Sequence, residues 1–322
     1  MNLTAVMRIL NEDDIIEANI RHHRSFIDHF VILDDGSQDK TLYIIESLIS
    51  DGFPITLIEC DSVVSDERGR NTFLYNYASQ KLKANWVFFL DADEFIDMRG
   101  RINGMKDFIV SVPGHFESML LPMRNYKDTV LDNKDEIIVP NRMTWRMREE
   151  IGVFKVVVRG QLSGNIHIHE GNHTAYRNNK ELDYFGGSNL CIAHYPRRSG
   201  WQDIYKWIVM RLKITAAGKR EVDKGTGSHY IAPLNTLLRN PKEILENKWF
   251  FNQTPNDNDV EDRICYEGGM LKYTENVDYK EKCIKMVLEY AFSLAREFGE
   301  EMDINESFRT RILTKINTHM ER

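Results

Sequence analysis

The stretch that decides the fold is Trp86-Val87-Phe88-Phe89-Leu90-Asp91-Ala92-Asp93-Glu94-Phe95. Its five leading residues form a continuous apolar run, which is typical of a strand buried on both faces in the middle of a parallel sheet. A buried strand that ends in acidic residues delivers them to the carboxyl edge of the sheet, where open α/β folds bind ligands. We therefore expect a ligand site around the two aspartates.

The spacing of the two aspartates suits a divalent cation. In an extended chain, residues i and i+2 point the same way, so Asp91 and Asp93 would face one ion together. Two close carboxylates repel each other unless a positive charge lies between them, and magnesium and manganese prefer oxygen ligands. The alternative is a plain turn at the end of the strand, because aspartate is common in turns.

Strand and helix patterns alternate upstream of this stretch. Apolar runs at residues 3–10, 30–33 and 55–58 are separated by helical spacings, which predicts right-handed βαβ units and a parallel sheet. The second run ends in Asp34 and Asp35, at the same edge of the sheet. Neither glycine-rich phosphate motif is present in the sequence, so a bound nucleotide would depend on carboxylates and a metal.

The pattern changes beyond residue 97. Short strands are predicted at residues 115–123, 137–140, 152–159, 165–170 and 190–194. Amphipathic helices are predicted at 205–217 and 280–298, with a polar loop at 252–262. We expect an α/β domain over residues 1–200 and a mostly helical region over 201–322.

A modestly basic stretch with nearby aromatic residues opens the helical region, from Trp201 to Arg220. A solvated helix face is the favoured interpretation of this stretch. Its alternative is contact with an anionic membrane surface or a lipid-linked substrate.

Composition narrows the class of protein. The 322 residues carry a net charge of −7, which argues against a general nucleic-acid binder. No apolar run approaches the roughly 20 residues that span a bilayer, and the amino terminus does not resemble a signal peptide. The four cysteines show neither metal nor redox spacing. We expect a cytoplasmic protein, with peripheral contact at the inner face of the membrane as an option.

Two segments resemble motifs of family 2-type glycosyltransferases. The run Val31-Ile32-Leu33-Asp34-Asp35-Gly36-Ser37-Gln38-Asp39-Lys40-Thr41 resembles their Asp-Asp-Gly-Ser-x-Asp-x-Thr segment, and residues 88–95 resemble their Asp-x-Asp motif. Asn11-Glu12 and Arg70-Asn71 match in kind. Looser matches to one branch follow at residues 154–159, 168–170 and 194–195. The resemblance covers roughly residues 1–200.

The resemblance implies a GT-A type, Rossmann-like sheet and transfer of a sugar from a nucleotide-diphosphate donor. Asp93 would contact a Mn²⁺ or Mg²⁺ ion, Asp91 would share that ion or a ribose hydroxyl, and His194 would complete the metal site. The remaining donor contacts would come from Asn11, Asp34, Asp35, Arg70 and Asn71. A UDP-sugar is the favoured donor. The acceptor would be a saccharide or a lipid-linked saccharide, in surface polysaccharide or glycoconjugate synthesis.

An inverting transfer also needs a base near the acceptor hydroxyl. Glu170 is the favoured base because it follows a predicted strand on the acceptor half, and Glu150 and Glu149 are its rivals. Two other functions stay open: a nucleotide-sugar or glycan-binding protein without catalysis, and an aspartate-based phosphatase. The phosphatase is disfavoured, because Glu94 and Phe95 stand where that class has Thr or Val.

Overall fold

The computed structural model describes residues 1–60, 63–64, 66–99, 104–149, 152–186, 190–251 and 253–320. The first part of the chain forms β1 (Leu3–Ile9), α1 (Ile16–His23), β2 (His29–Asp34), α2 (Thr41–Ser50), β3 (Ile55–Glu59), α3 (Glu67–Asn76) and β4 (Trp86–Phe89). The middle part forms β5 (Glu94–Asp97), α4 (Gly104–Ser111), β6 (Ser118–Lys127), α5 (Val139–Arg142), β7 (Trp145–Met147), β8 (Phe154–Arg159), β9 (Ile166–Ile168), β10 (Ala175–Arg177), β11 (Lys180–Glu181), β12 (Tyr184–Phe185) and β13 (Cys191–His194). The last part forms α6 (Gly200–Ala216), α7 (Lys219–Asp223), α8 (Ile231–Arg239), α9 (Pro241–Leu245), α10 (Lys248–Phe251), β14 (Asp259–Glu261), α11 (Tyr279–Ile304) and α12 (Glu306–Met320).

A mixed sheet forms the centre of the molecule, with strand order β14-β7-β6-β8-β4-β1-β2-β3. The four strands β4, β1, β2 and β3 are parallel, as the alternation of strands and helices predicts. Beyond β4 the pairing becomes antiparallel, through β8 to β6. The fold is therefore an α/β fold of the expected GT-A type, with a helical carboxy-terminal region.

Strand β4 is buried on both faces, as its apolar run indicates. Trp86 and Phe88 join the larger core cluster on one side of the sheet. Val87 and Phe89 join a second cluster on the other side, where α3 packs. A central parallel strand covered on both faces needs apolar residues at every position, which explains the absence of alternation.

Three sequence expectations are wrong in detail. Residues 137–140 do not form a strand, because α5 begins at Val139. The polar segment 252–262 contains the short strand β14, which pairs with β7. Residues 91–93 are not extended, because the chain turns between β4 and β5. In that turn the Glu94 amide donates to the Asp91 carbonyl at 3.1 Å, and the Asp91 amide donates to Glu94 Oε2 at 3.0 Å.

The carboxy-terminal helices pack against each other and against the edge of the sheet that carries the acids. Trp207 of α6 and Met286 of α11 share one buried cluster, and Leu10 packs against it. Asp278 begins α11 by accepting from the amides of Lys280 and Glu281 at 2.9 and 3.1 Å.

The division of the chain at residue 200 stays a prediction. Among the described residues, no helix is long and apolar enough to cross a bilayer.

A buried carboxylate ties the late part of the chain to α1. Glu17 is fully buried and accepts from the amides of Lys272, Tyr273 and Thr274 at 2.7–2.9 Å. The Arg21 side chain also donates to it at 2.8 Å. Burial alone would raise the pKa of Glu17, but these hydrogen bonds outweigh burial and lower the pKa below 4.5.

We expect Glu17→Gln to destabilise the protein at pH 7 by about 1.5–3 kcal/mol, because an amide NH₂ cannot accept from the backbone N–H groups. A carboxyl whose folded pKa is lowered stabilises the fold above its unfolded pKa, near 4.5, and loses that contribution as the pH falls. The difference between variant and wild type should therefore shrink below about pH 4.5. Urea unfolding at pH 7, 5 and 4 measures it. Glu300→Gln, on the exposed part of α11, is the control, and an equal loss in that variant would contradict the assignment.

Candidate functional site

A cavity of about 670 Å³ lies at the carboxyl ends of β1, β2 and β4. Its walls carry the carboxylates of Glu12, Asp35, Asp91 and Asp93, the cations of Arg8 and Lys206, and the His194 imidazole. Apolar side chains of α6 and α8 close the opposite wall, among them Trp207 and Pro233. Four of the predicted site residues therefore meet in one cavity: Asp35, Asp91, Asp93 and His194.

Asp93, Glu94 and His194 form a group that could hold a metal ion, with ligand atoms within 4.8 Å of one another. Strand β13 pairs with β5 in a register that sets His194 opposite Glu94. The His194 Nε2 atom lies 3.6 Å from Asp93 Oδ1. Its Nδ1 atom lies 2.8 Å from the side-chain oxygen of Asn125, which can only accept a hydrogen bond. Nδ1 therefore carries the hydrogen, and Nε2 presents a lone pair to Asp93.

Burial governs the charge of this group. It lowers the pKa of His194 to about 4, so the imidazole is neutral at pH 7. Burial would raise the pKa of Asp93, but the positive charges of Lys206 and Arg198 outweigh it and lower that pKa. At neutral pH, a carboxylate oxygen and an imidazole lone pair face each other with no hydrogen between them.

Asp91 is turned toward a buried lysine of β8. Lys155 Nζ lies 2.6 Å from Asp91 Oδ2 and 3.0 Å from Glu94 Oε1. Burial opposes ionisation of Asp91, but the Lys155 charge dominates and lowers its pKa to about 2. Burial raises the pKa of Glu94 to about 8 in spite of the same lysine. The Asp91 side chain remains 41% exposed, so it keeps an open side toward the cavity.

Asp34 and Asp35 have different roles although they are adjacent. Asp34 closes the turn after β2, because its Oδ2 accepts from the amides of Gly36 and Ser37 at 3.0 and 2.8 Å. Gly36 has φ of 85°, a conformation that favours glycine. Asp35 lines the cavity and pairs with Arg70 Nη1 at 2.6 Å and Lys213 Nζ at 2.9 Å. Arg70 is therefore linked to the cavity only indirectly, by its ion pair with Asp35 of the cavity wall.

The two predicted asparagines do not line the cavity. Asn11 has φ of 57° and orders the loop after β1: its side chain accepts from the Gln38 amide at 2.7 Å and donates to the Tyr205 hydroxyl at 2.7 Å. Asn71 is buried on α3, with no hydrogen-bond partner for its Nδ2 atom among the described residues.

The predicted base lies in a neighbouring polar cavity of about 510 Å³. Glu170 lines it together with Glu67, whose Oε1 lies 3.4 Å from Arg8 Nη2 of the first cavity. The two cavities therefore share a wall. Of the rivals, Glu149 is exposed and Glu150 lies outside the described residues.

Helix α6 contributes residues that sequence reasoning placed on a solvated or membrane-facing surface. Lys206 Nζ lies 3.4 Å from Asp93 Oδ2, and Lys213 is buried against Asp35. Tyr205 and Trp207 are buried as well. The interpretation of these four residues as a solvated face is wrong. The spacing of the two lysines could have indicated a shared role, because positions 206 and 213 lie two helical turns apart on one face of the helix.

A buried arginine is the other site residue that the sequence did not single out. Arg198 is fully buried and pairs with Glu12 and Asp14 of the loop after β1, each at 2.5 Å. Its Nη1 lies 3.5 Å from Asp93 Oδ2. Burial raises the pKa of Glu12 to about 7 although Arg198 opposes this. Nothing in the local sequence links residue 198 to residues 12 and 14.

The sequence model of glycosyl transferase family 2 matches residues 4–191, more than half of the chain, including the strands from β2 to β12. The chain belongs to glycosyl transferase family 2. This membership confirms the predicted family and the glycosyltransferase class. No curated protein matches the family 2 chain significantly.

Several solved structures are similar to this family 2 chain at low identity. Glucosyl-3-phosphoglycerate synthase from Mycobacterium tuberculosis, in complex with Mn²⁺, UDP and glucosyl-3-phosphoglycerate, is 16% identical over 49% of this chain and 56% of its own, with a TM-score of 0.27. A mannosyltransferase from Pyrobaculum calidifontis, in complex with GDP-Man and Mn²⁺, is 12% identical over 96% and 82%, with a TM-score of 0.35. A mycobacterial protein is 18% identical over 38% and 41%, with a TM-score of 0.27. This chain thus spans about half the length of glucosyl-3-phosphoglycerate synthase. The family assignment rests on the match to the family 2 sequence model.

We expect Lys155→Met to destabilise the protein by about 1.5–3 kcal/mol, because the ionised Asp91 loses the cation beside it and Glu94 loses a hydrogen-bond donor. The double variant Lys155→Met/Glu94→Gln replaces the Glu94 carboxyl group by a neutral amide and should recover part of the loss. Urea unfolding at pH 7 measures both. If the single variant is as stable as the wild type, or the double variant is less stable than the single one, the role of this ion pair is contradicted.

Proposed function

We propose that this protein is a metal-dependent glycosyltransferase that moves a sugar from a nucleotide-diphosphate donor, a UDP-sugar in the first instance, to a saccharide or lipid-linked saccharide. The observation that carries the proposal is the contact between Asp93 and His194. A carboxylate oxygen and a neutral imidazole lone pair face each other at 3.6 Å. Both are electron-rich, so a cation between them stabilises the arrangement.

The donor set fits a divalent ion such as Mn²⁺. Carboxylate oxygens suit manganese and magnesium, and an imidazole nitrogen favours manganese of the two. Asp93 and His194 would hold the ion, with Glu94 beside them. The sequence also predicts Asp91 as a ligand, and its side chain keeps an open side toward the cavity. Asn125 fixes the orientation of the imidazole, a typical outer contact of a ligating histidine. When bound, the ion would neutralise charge on the diphosphate leaving group.

The position of the acids supports a nucleotide in the same cavity. Asp35 lies at the end of β2, where nucleotide-binding α/β folds place an acidic acceptor for ribose or base. Its two cations, Arg70 and Lys213, hold the carboxylate in place. Asp34 and Asn11 would then act on the nucleotide through the loops they order rather than by direct contact.

In the proposed transfer the acceptor oxygen forms a bond to the anomeric carbon, and the bond from that carbon to the phosphate oxygen breaks. The electron pair of the broken bond leaves with the nucleotide diphosphate, and the acceptor proton passes to a base. We retain Glu170 as that base and Glu150 as its rival. The polar cavity that contains Glu170 supports a saccharide acceptor, because carboxylates, amides and hydroxyls line it.

Binding of the donor tests the proposed function. Calorimetry with UDP, GDP and CDP in the presence of Mn²⁺ should give the tightest binding for UDP. Asp93→Ala should abolish both the metal dependence and sugar transfer while the far-ultraviolet circular dichroism stays unchanged. Full activity in that variant, or in excess chelator, would contradict the metal site. Tighter binding of GDP or CDP would move the donor away from UDP, and binding without turnover or donor hydrolysis would indicate a non-catalytic binder.

The base is tested by Glu170→Gln, which keeps the size of the side chain and removes its basicity. Turnover should fall about 10²–10⁴-fold, the usual contribution of a general base, while the Kd of the donor stays within a factor of two or so. Glu300→Gln, on the exposed part of α11, is the control, and Glu149→Gln and Glu150→Gln test the rival carboxylates. Near-normal turnover in Glu170→Gln with a large loss in one of those two would transfer the assignment to that residue. The anomeric configuration of the product decides whether the transfer is inverting.

A further inference from the structure

The two oxygens of Asp93 face different groups. Oδ1 faces His194 Nε2 at 3.6 Å. Oδ2 faces two cations, Lys206 Nζ at 3.4 Å and Arg198 Nη1 at 3.5 Å. The proposed ion has a place on the Oδ1 side, and the Oδ2 side carries cations that belong to the protein.

Only one of these two cations can reach a ligand. The Arg198 side chain is fully buried, and its guanidinium is occupied by Glu12, Asp14 and the Tyr195 carbonyl. The Lys206 side chain is 25% exposed and lines the cavity.

Lys206 also makes no short contact with any residue that the structure describes. Its ammonium lies 3.4 Å from Asp93 Oδ2 and 3.3 Å from the Pro196 carbonyl. Charge-assisted hydrogen bonds are usually about 2.7–2.9 Å long. The Lys206 ammonium therefore keeps donor capacity for a ligand in the cavity.

The second lysine of α6, Lys213, provides a comparison, because its ammonium is engaged by a neighbouring carboxylate. Lys213 lies two helical turns after Lys206, is 2% exposed, and contacts Asp35 Oδ2 at 2.9 Å and the Asp35 carbonyl at 3.2 Å. Lys213 thus has a structural role, to neutralise Asp35. Lys206 is at the same face of the helix, next to the metal-binding candidates, without a comparable partner.

We propose that Lys206 binds the diphosphate of the donor and stabilises it as the leaving group. This inference rests on the proposed function. When the bond from the anomeric carbon to the phosphate oxygen breaks, the electron pair stays on the departing oxygen, and the Lys206 ammonium donates hydrogen bonds to the diphosphate without giving up its proton. The residue is a catalytic one in the sense that it touches the leaving group, and it comes from the helical region beyond the family match.

Three ligands of decreasing charge test this inference in the full-length protein. Isothermal calorimetry in Mn²⁺ compares UDP, UMP and uridine, or the matching guanine or cytosine series if GDP or CDP binds more tightly. In Lys206→Met the affinity for the diphosphate should fall about 10- to 100-fold, the effect of losing a hydrogen bond to a charged group. The affinity for the nucleoside should stay unchanged. Lys206→Arg should restore most of the lost affinity, and Lys219→Met, an exposed lysine at the start of α7, should behave as wild type.

A second measurement separates charge from structural damage. Removing a cation near Asp93 should leave the affinity of the nucleotide-free protein for Mn²⁺ unchanged or raise it, whereas a collapsed site would lower it. An unchanged diphosphate affinity in Lys206→Met, or an equal loss for diphosphate and nucleoside, would overturn the inference. A wild-type protein that binds none of the three diphosphates would instead overturn the proposed function itself.

Discussion

The acidic edge of the sheet depends on cations supplied from distant parts of the chain. Lys155 neutralises Asp91 and contacts Glu94, Arg70 and Lys213 neutralise Asp35, and Arg198 pairs with Glu12 and Asp14. Each of these cations comes from a different element: β8, α3, α6 and the segment after β13. Carboxylates this close together repel each other strongly in a low-dielectric interior unless positive charges compensate them. The site is therefore a property of the whole chain, although its acids come from the first hundred residues.

The contacts of each acidic side chain also distinguish acids with a structural role from acids that remain available to a ligand. Asp34 uses one oxygen to close a turn, and Asp35 has one cation on each of its two oxygens. Asp93 has only long contacts, at 3.4–3.6 Å, to His194, Lys206 and Arg198. The acid with the longest contacts is the one with the most to gain from a bound cation, and it is the second aspartate of the Asp-x-Asp pair.

The sequence predicts the parallel half of the sheet well, because each of its strands is a mostly apolar segment with polar residues after it. It also brings Asp35, Asp91, Asp93 and His194 into one group, which the structure gathers in a single cavity. It could not show that the chain turns at Asp91, because that turn is fixed by Glu94, and Glu94 is held by Lys155, 61 residues later. It also could not assign α6 to the site. The sequence of an amphipathic helix shows which of its faces is apolar, but the partner of each lysine depends on where the helix packs.

The hydrogen bonds of Glu17 have a consequence for the order in which the protein can form. The three amides that satisfy this buried carboxylate lie 255 to 257 residues later in the chain. A ribosome adds about 5–20 residues per second, so α1 emerges roughly 10–50 s before its partners. Throughout that interval Glu17 has the Arg21 side chain of its own helix as a donor, but the three backbone amides do not yet exist. The hydrogen bonds of Glu17 can therefore be completed only late in biosynthesis, even though α1 is the first helix to be made.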